Sequence, residues 1–270
     1  MTARGGQGQG ASTEEKIRGI YGLLKMNIDM VRGIRSRKTS AAAYFHFDLN
    51  CGCGWNHRVN PPHGVMGSPL VFLQAAVDTG FDNYRAWFVD ENPQATDELI
   101  RQAELMTTDG SIESELSVVT SDNGDFCESI PDFIKQGGDR PEFALGTILL
   151  DPNGPNGVPW AQLQAVFAQC ERLDCIFNFP GTGMKRLPEG HINRVQLKDV
   201  PELFRKSHWL VREPMPSQQF TLLMGRNTES GDWSKAGFHH WDSRRGREIR
   251  EEVSSPARSY VHPDQGTFDF

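Results

Sequence analysis

The chain predicts an α/β fold, a doubly wound and mostly parallel seven-stranded sheet closed by a C-terminal antiparallel hairpin. Three observations predict it. Five apolar, strand-like runs alternate with helix-like segments between residues 43 and 179, the pattern of βα units feeding a parallel sheet. Four of the five runs end in acids, with Asp48, Asp90 and Glu91, Asp122, and Asp151 at their carboxyl ends, and core packing gives no reason for charge there. Two further runs, 208–214 and 219–227, are joined by a link too short for a crossover helix, so they pair antiparallel.

Composition sets the outer limits. The 270 residues are 37% hydrophobic and 10% aromatic, enough apolar material for one large core. A net charge of -7 opposes a strong nonspecific grip on nucleic acid, although local basic patches still allow contact. Five cysteines (Cys51, Cys53, Cys127, Cys170 and Cys175) are an odd number lying in or beside predicted buried elements, which reads as reduced thiols in a cytoplasmic protein. No apolar run has membrane-spanning length, and residues 1–15 lack the apolar core of a secretory signal. The organisation expected is a disordered tail over 1–11, a helix with a basic linker over 12–40, a Rossmann-like domain over 41–230, a helical extension over 231–255 and a flexible tail over 256–270.

Taken in order, the first helix starts at Ser12, whose S-x-x-E spacing with Glu15 is a capping box. Ile17, Ile20, Tyr21, Leu24, Ile28 and Val31 recur at helical spacing. Residues 32–38 (RGIRSRK) read as a solvated basic turn. The first strand, 43–48, runs into Asp48-Leu49-Asn50-Cys51-Gly52-Cys53-Gly54, a Gly-x-Gly turn of the kind that bares backbone to a ligand. Residues 57–67 are polar and proline-broken and read as a loop. Ser68 is the expected cap of the next helix, with Pro69 at its first position and Leu70, Leu73, Ala76 and Val77 on its buried face. The strand 84–91 follows, then a helix opened by Asn92 and Pro93 with Leu99, Ile100, Ala103 and Leu105 facing inward. The strand 115–122 leads through NGDF into a short helix near 130–136. The strand 143–151 leads into the turn PNGPNGVP and a helix with Trp160, Leu163, Val166, Phe167 and Cys170 on one side. The fifth strand, 173–179, precedes PGTGMKR.

The order of these motifs resembles the class I methyltransferases, which bind S-adenosylmethionine. Residues 48–54 are similar to the D-x-F-x-G-x-G turn of DNA methyltransferases, with Asn50 in place of the aromatic. More narrowly, the chain resembles the bacterial and phage three-Cys-motif partner proteins, through that turn, G-S-P-L at 67–70, the acid-ended strand at 88–92, the D-P-x-G turn at 150–157 and HHWDS at 239–243. The resemblance spans residues 15–245.

It implies S-adenosylmethionine as cofactor, with Asp48, Asn50, Gly52 and Gly54 beneath its amino acid and ribose. Asp90 or Glu91 would accept from the ribose hydroxyls, Asp125 from the adenine amine, and the Phe126 ring would lie on the adenine face. Asp151 and Asn153 stand where amino-methylating enzymes polarise the target nitrogen, with Trp160 or Phe179 as substitutes for the missing aromatic clamp. The implied activity is methyl transfer to nucleic acid, an amino group being the best-fitting target. The alternatives are a catalytically inactive methyltransferase-like binding protein, or a Rossmann-like enzyme using another adenosine-containing ligand.

Other signals weigh less. Cys51 and Cys53 with His57 and His63 have metal-ligating chemistry, but a glycine turn leaves no room for a metal tetrahedron, so no metal is expected. His239 and His240 read as an exposed turn, and 243–252 as a surface helix. The C-terminal Gln265-Gly-Thr-Phe268-Asp-Phe270 resembles peptides by which bacterial DNA enzymes dock on the sliding clamp.

Overall fold

The computed structural model describes residues 11–37, 43–56, 64–107, 115–152, 154–214, 220–228, 233–234 and 237–254. Its elements are α1 (Ala11–Arg37), β1 (Tyr44–Leu49), β2 (Trp55–Asn56), β3 (Val65–Met66), α2 (Ser68–Thr79), β4 (Tyr84–Asp90), α3 (Pro93–Thr107), β5 (Glu115–Thr120), α4 (Asn123–Gln136), β6 (Leu145–Leu150), α5 (Trp160–Gln169), β7 (Leu173–Pro180), α6 (Gly181–Arg186), α7 (Val200–Phe204), β8 (His208–Arg212), β9 (Phe220–Arg226), β10 (Phe238–His240) and α8 (Arg244–Ser254). The main sheet has eight strands in the order β10-β8-β9-β7-β6-β1-β4-β5. From β5 to β7 every pairing is parallel, while β9 runs antiparallel to both β7 and β8. The doubly wound sheet and its terminal hairpin are therefore as the sequence predicts. The expected seven strands become eight because β10, read from sequence as a turn at His239 and His240, pairs antiparallel with the outer edge of β8.

Two apolar layers cover the sheet. Alternate residues of a strand face opposite sides, and in β1 Phe45, Phe47 and Leu49 face the layer containing Phe126, Leu163 and Phe204. Tyr44 faces the other layer, with Ile20 and Leu24 of α1 and Leu70 and Phe72 of α2. All six residues of β1 are buried, as expected of a central strand covered on both faces. The same period places His46 and Asp48 on the α1 and α2 side.

Several local boundaries differ from expectation. Helix α1 continues to Arg37, absorbing most of the supposed basic turn: Arg32 pairs with Asp29 and donates to the carbonyl of Thr79. Ser68 lies within α2 rather than capping it; Gly67 holds the cap position, with no side-chain cap bond. Val77 is 59% exposed and Ile100 is 40% exposed, because each falls one step past its helix's buried stripe. Residues 65–66, expected in a loop, pair with 55–56 as a small hairpin. Residues 57–63 and both terminal tails, with the clamp-like Gln265, Phe268 and Phe270, lie outside the described residues, as do His57 and His63.

Helix α4 starts at Asn123, seven residues before its expected position, because Asp122 caps it: the carboxylate accepts from the Gly124 and Asp125 amides at 2.7 and 3.4 Å. The cap draws Phe126 into the core against Phe47 and Phe133. Asp122→Ala is expected to lower stability by about 1 kcal/mol, measurable as a reduced urea midpoint with an unchanged slope.

Candidate functional site

The chain moves outward from β1 to β4 and β5, then crosses to β6 on the other side of β1. The strand order thus reverses between β1 and β6, and ligands of such sheets sit beyond the carboxyl ends at that reversal. Register fixes what meets there. Leu49 lies opposite Val89 and Leu150, so the turn after β1, Asp90 after Val89 and Asp151 after Leu150 emerge together.

The turn at 50–54 is tied to β4 by its backbone. The amides of Asn50 and Cys51 both donate to the Val89 carbonyl, at 3.0 and 2.9 Å. The Gly52 amide donates to Asp90 Oδ2 at 2.9 Å, and Asp90 Oδ1 accepts from the Asn92 amide at 2.9 Å. Asp90 rather than the exposed Glu91 is therefore the acid that faces the glycine turn. Asn50, Gly52 and Gly54 all have positive φ, at 73°, 65° and 82°. Asparagine tolerates that region better than an aromatic does, which accounts for Asn50. The two glycines differ in role. A Cβ at Gly52 would meet nothing within 4 Å, whereas one at Gly54 would lie 2.8 Å from Leu99 and 3.3 Å from Leu70. Gly52 bares its backbone to open space, and Gly54 is small because the core requires it.

Asp48 is wholly buried, and neither carboxyl oxygen has a partner in hydrogen-bond geometry among the described residues. Burial pushes this carboxyl up to about 8; the Ser68 hydroxyl and the Lys16 ammonium ease its charge, while Asp151 and Asp90 oppose it. Asn50 Oδ1 and Asn178 Oδ1 are likewise buried without donors among the described residues. Asp151 is held on both sides: Lys16 Nζ lies 2.7 Å from Oδ2, and Asn178 Nδ2 donates to Oδ1 at 2.8 Å. The tip of the sheet therefore gathers donorless acceptor oxygens on three residues beside an open glycine backbone.

Lys16 reaches this tip because α1 is anchored at the far end of the sheet. There Asn27 donates to Asp174 at 2.5 Å and accepts from the Tyr44 hydroxyl at 2.8 Å, and Arg226 pairs with Asp174 at 3.2 Å. Sequence reasoning missed Lys16, although it shares a helix stripe with Ile20, Leu23 and Asn27, and a polar residue on an apolar stripe signals a partner. Other expected residues are not brought together. Phe126 is 3% exposed and Phe179 is 2% exposed, so neither offers a free ring. Trp160 stacks on Phe204 instead of clamping a base. Asp125 is an exposed first-turn residue of α4, and Asn153 lies outside the described residues. Burial raises the Cys51, Cys127, Cys170 and Cys175 thiols above the ordinary range, which removes them as thiolate nucleophiles at neutral pH. Among the described residues no group of three or more His, Cys, Asp or Glu is placed to hold a metal ion, and no helix is long and apolar enough to cross a membrane.

No protein-family model matches the chain, and no curated protein matches it. Solved structures do. The protein LPL1258 from Legionella pneumophila, of the DUF519 family, is similar with a TM-score of 0.53 at 12% identity, over 82% of this chain and 87% of that one. A DUF574 family protein from Streptomyces avermitilis aligns at 10% identity over 78% and 83% of the two chains, with a TM-score of 0.43. The likeness concerns the fold alone, a Rossmann-like, mostly parallel sheet.

Proposed function

We propose that the chain is an S-adenosylmethionine-dependent methyltransferase acting on nucleic acid, an amino group being its best-fitting target. The observation that carries the reading is the set of donorless, buried acceptor oxygens on Asp48, Asn50 and Asn178 beside the bare Gly52 backbone. Such a set fits a ligand that brings N–H donors and positive charge, as the ammonium and sulfonium of S-adenosylmethionine do. It disfavours a phosphorylated nucleotide, whose oxygens are acceptors and whose charge would meet the carboxylates of Asp90 and Asp151. Asp48, Asn50, Gly52 and Asp90 would hold the cofactor, which supplies an electrophilic methyl group when bound. Asp151, oriented by Asn178 and Lys16, is the group available to accept from a target amine, and Asn153 follows it two residues on in the sequence. The nucleic-acid target, and membership of the three-Cys-motif partner proteins, rest on the motif resemblance and not on fold likeness.

The test is calorimetric titration of the full chain with S-adenosylmethionine, S-adenosylhomocysteine and ATP. Binding of the first two and not the third is expected. Gly52→Asn, a residue that tolerates this positive φ and whose Cβ would stand in open space, should weaken binding at least tenfold. ATP binding with no response to S-adenosylmethionine would overturn the reading. One observation favours the non-catalytic alternative: both oxygens of Asp151 already have partners. Donor binding without transfer of a labelled methyl group to any DNA, RNA or protein acceptor offered would decide for it.

A further inference from the structure

A concavity of about 340 Å³ lies beyond the end of β7, and the cofactor reading makes no use of it. Phe179, Met184 and Val253 give it an apolar floor, while Lys185, Arg194 and Lys198 stand around it. Among the described residues no carboxylate lines it, in a chain of net charge -7. Among the described residues Arg194 and Lys198 enter no ion pair.

The concavity shares a wall with the proposed reaction centre. Helix α6 packs on the turn that follows Asp151 so closely that a Cβ at Gly183 would lie 2.9 Å from Pro155. Asn193 Nδ2 donates to Asn156 Oδ1 of the same turn at 3.3 Å. Immediately before Asn193, Ile192 stands 89% exposed. A polymer lying across the three cations would therefore pass directly beside that turn.

We propose that this concavity binds the phosphodiester backbone of the nucleic-acid strand that carries the methyl acceptor. Lys185, Arg194 and Lys198 contact successive phosphates, while Phe179, Met184 and Val253 stay buried beneath them. Three cations set apart around one concavity match the repeated phosphates of a polyanion better than they match one small anion. The inference rests on the nucleic-acid reading above and assigns it a place.

The test measures fluorescence anisotropy of labelled single-stranded 20-mers of DNA and RNA with the full chain, without cofactor, across a salt series. Binding by the native chain is expected for at least one of the two. The triple variant Lys185→Gln, Arg194→Gln, Lys198→Gln should bind at least tenfold more weakly and reduce the slope of log K against log salt by about 2, near 0.7 for each cation. Lys198→Gln alone, at an exposed position, should reduce it by about 0.7 and guards against misfolding of the triple variant. S-adenosylmethionine titration of the variants should match the native chain. Equal affinity and slope in variant and native chains would overturn the inference while leaving the cofactor reading intact. So would absence of oligonucleotide binding, or binding of AMP at this site that oligonucleotides do not compete away.

Discussion

Replacing Asp48 with asparagine is expected to remove a large alkaline penalty from the stability of the ligand-free fold. The Asp48 carboxyl is buried and titrates near 8 instead of its ordinary 3.8. A carboxyl whose folded-state pKa is raised favours the folded state fully below about pH 4, and that contribution is lost as pH rises through 8. Ionising it within the fold costs on the order of 5 kcal/mol, an upper bound because the surroundings relax. The asparagine amide of Asp48→Asn cannot ionise, so the stability difference between variant and native chain should widen by about 1.4 kcal/mol per pH unit from pH 5, levelling near 8. Asp174, also raised by burial to about 6, is common to both chains and cancels. Urea unfolding of both at pH 5, 6, 7, 8 and 9 reads the difference directly. A constant difference across that range would mean that Asp48 is solvated or paired in the ligand-free fold.

On the proposed cofactor reading, the same group links stability to ligand binding. At pH 7 an Asp48 that titrates near 8 is mostly protonated, and it must ionise to accept from the ammonium of S-adenosylmethionine. Binding should then release close to one proton, seen as a heat that depends on the ionisation enthalpy of the buffer. Asp48→Asn should lose that dependence and most of the affinity. A fold that retains such a liability in its ligand-free state has local stability traded for a site.

What could be read from the sequence follows the same logic. The parallel core was legible because its strands are apolar runs followed by turn formers, four of the five ending in an acid, signals that do not depend on tertiary context. Strand β10 was not, since three residues carry no period and its pairing depends on the free edge of β8. The early start of α4 was hidden by Pro131, which reads as a breaker but lies within the helix; burial of Phe126, Cys127, Ile130 and Ile134 on the sheet offsets its cost. In the site, the acids at the strand tips were legible as a group, but their division of labour was not. Sequence spacing makes Gly52 and Gly54 equivalent, and only the packing of Leu70 and Leu99 separates them. Asp90 and Glu91 are likewise equivalent until the pleat turns one toward Gly52 and leaves the other in water.

That last distinction carries the second large effect. Asp90 accepts two backbone amides, Gly52 and Asn92, each at 2.9 Å. Hydrogen bonds to a charged acceptor are worth about 1.5–3 kcal/mol each when well shielded, and Asp90 is only half-buried, so Asp90→Ala should cost roughly 2–4 kcal/mol in total. Asp90→Asn keeps a single acceptor oxygen and no charge, and should fall between. Glu91→Ala, at an exposed position, should stay within about 0.5 kcal/mol of the native chain. The cofactor should follow the same ranking, because Asp90 restrains Gly52 at its positive φ of 65° and a freed turn must be ordered again before it can bind. Asp90→Ala is therefore expected to lose S-adenosylmethionine affinity by well over tenfold, and Glu91→Ala by little. If Glu91→Ala instead abolished binding while Asp90→Ala merely destabilised the fold, Asp90 would be a backbone staple alone, and the ribose would have to be recognised by the acid that the pleat turns outward.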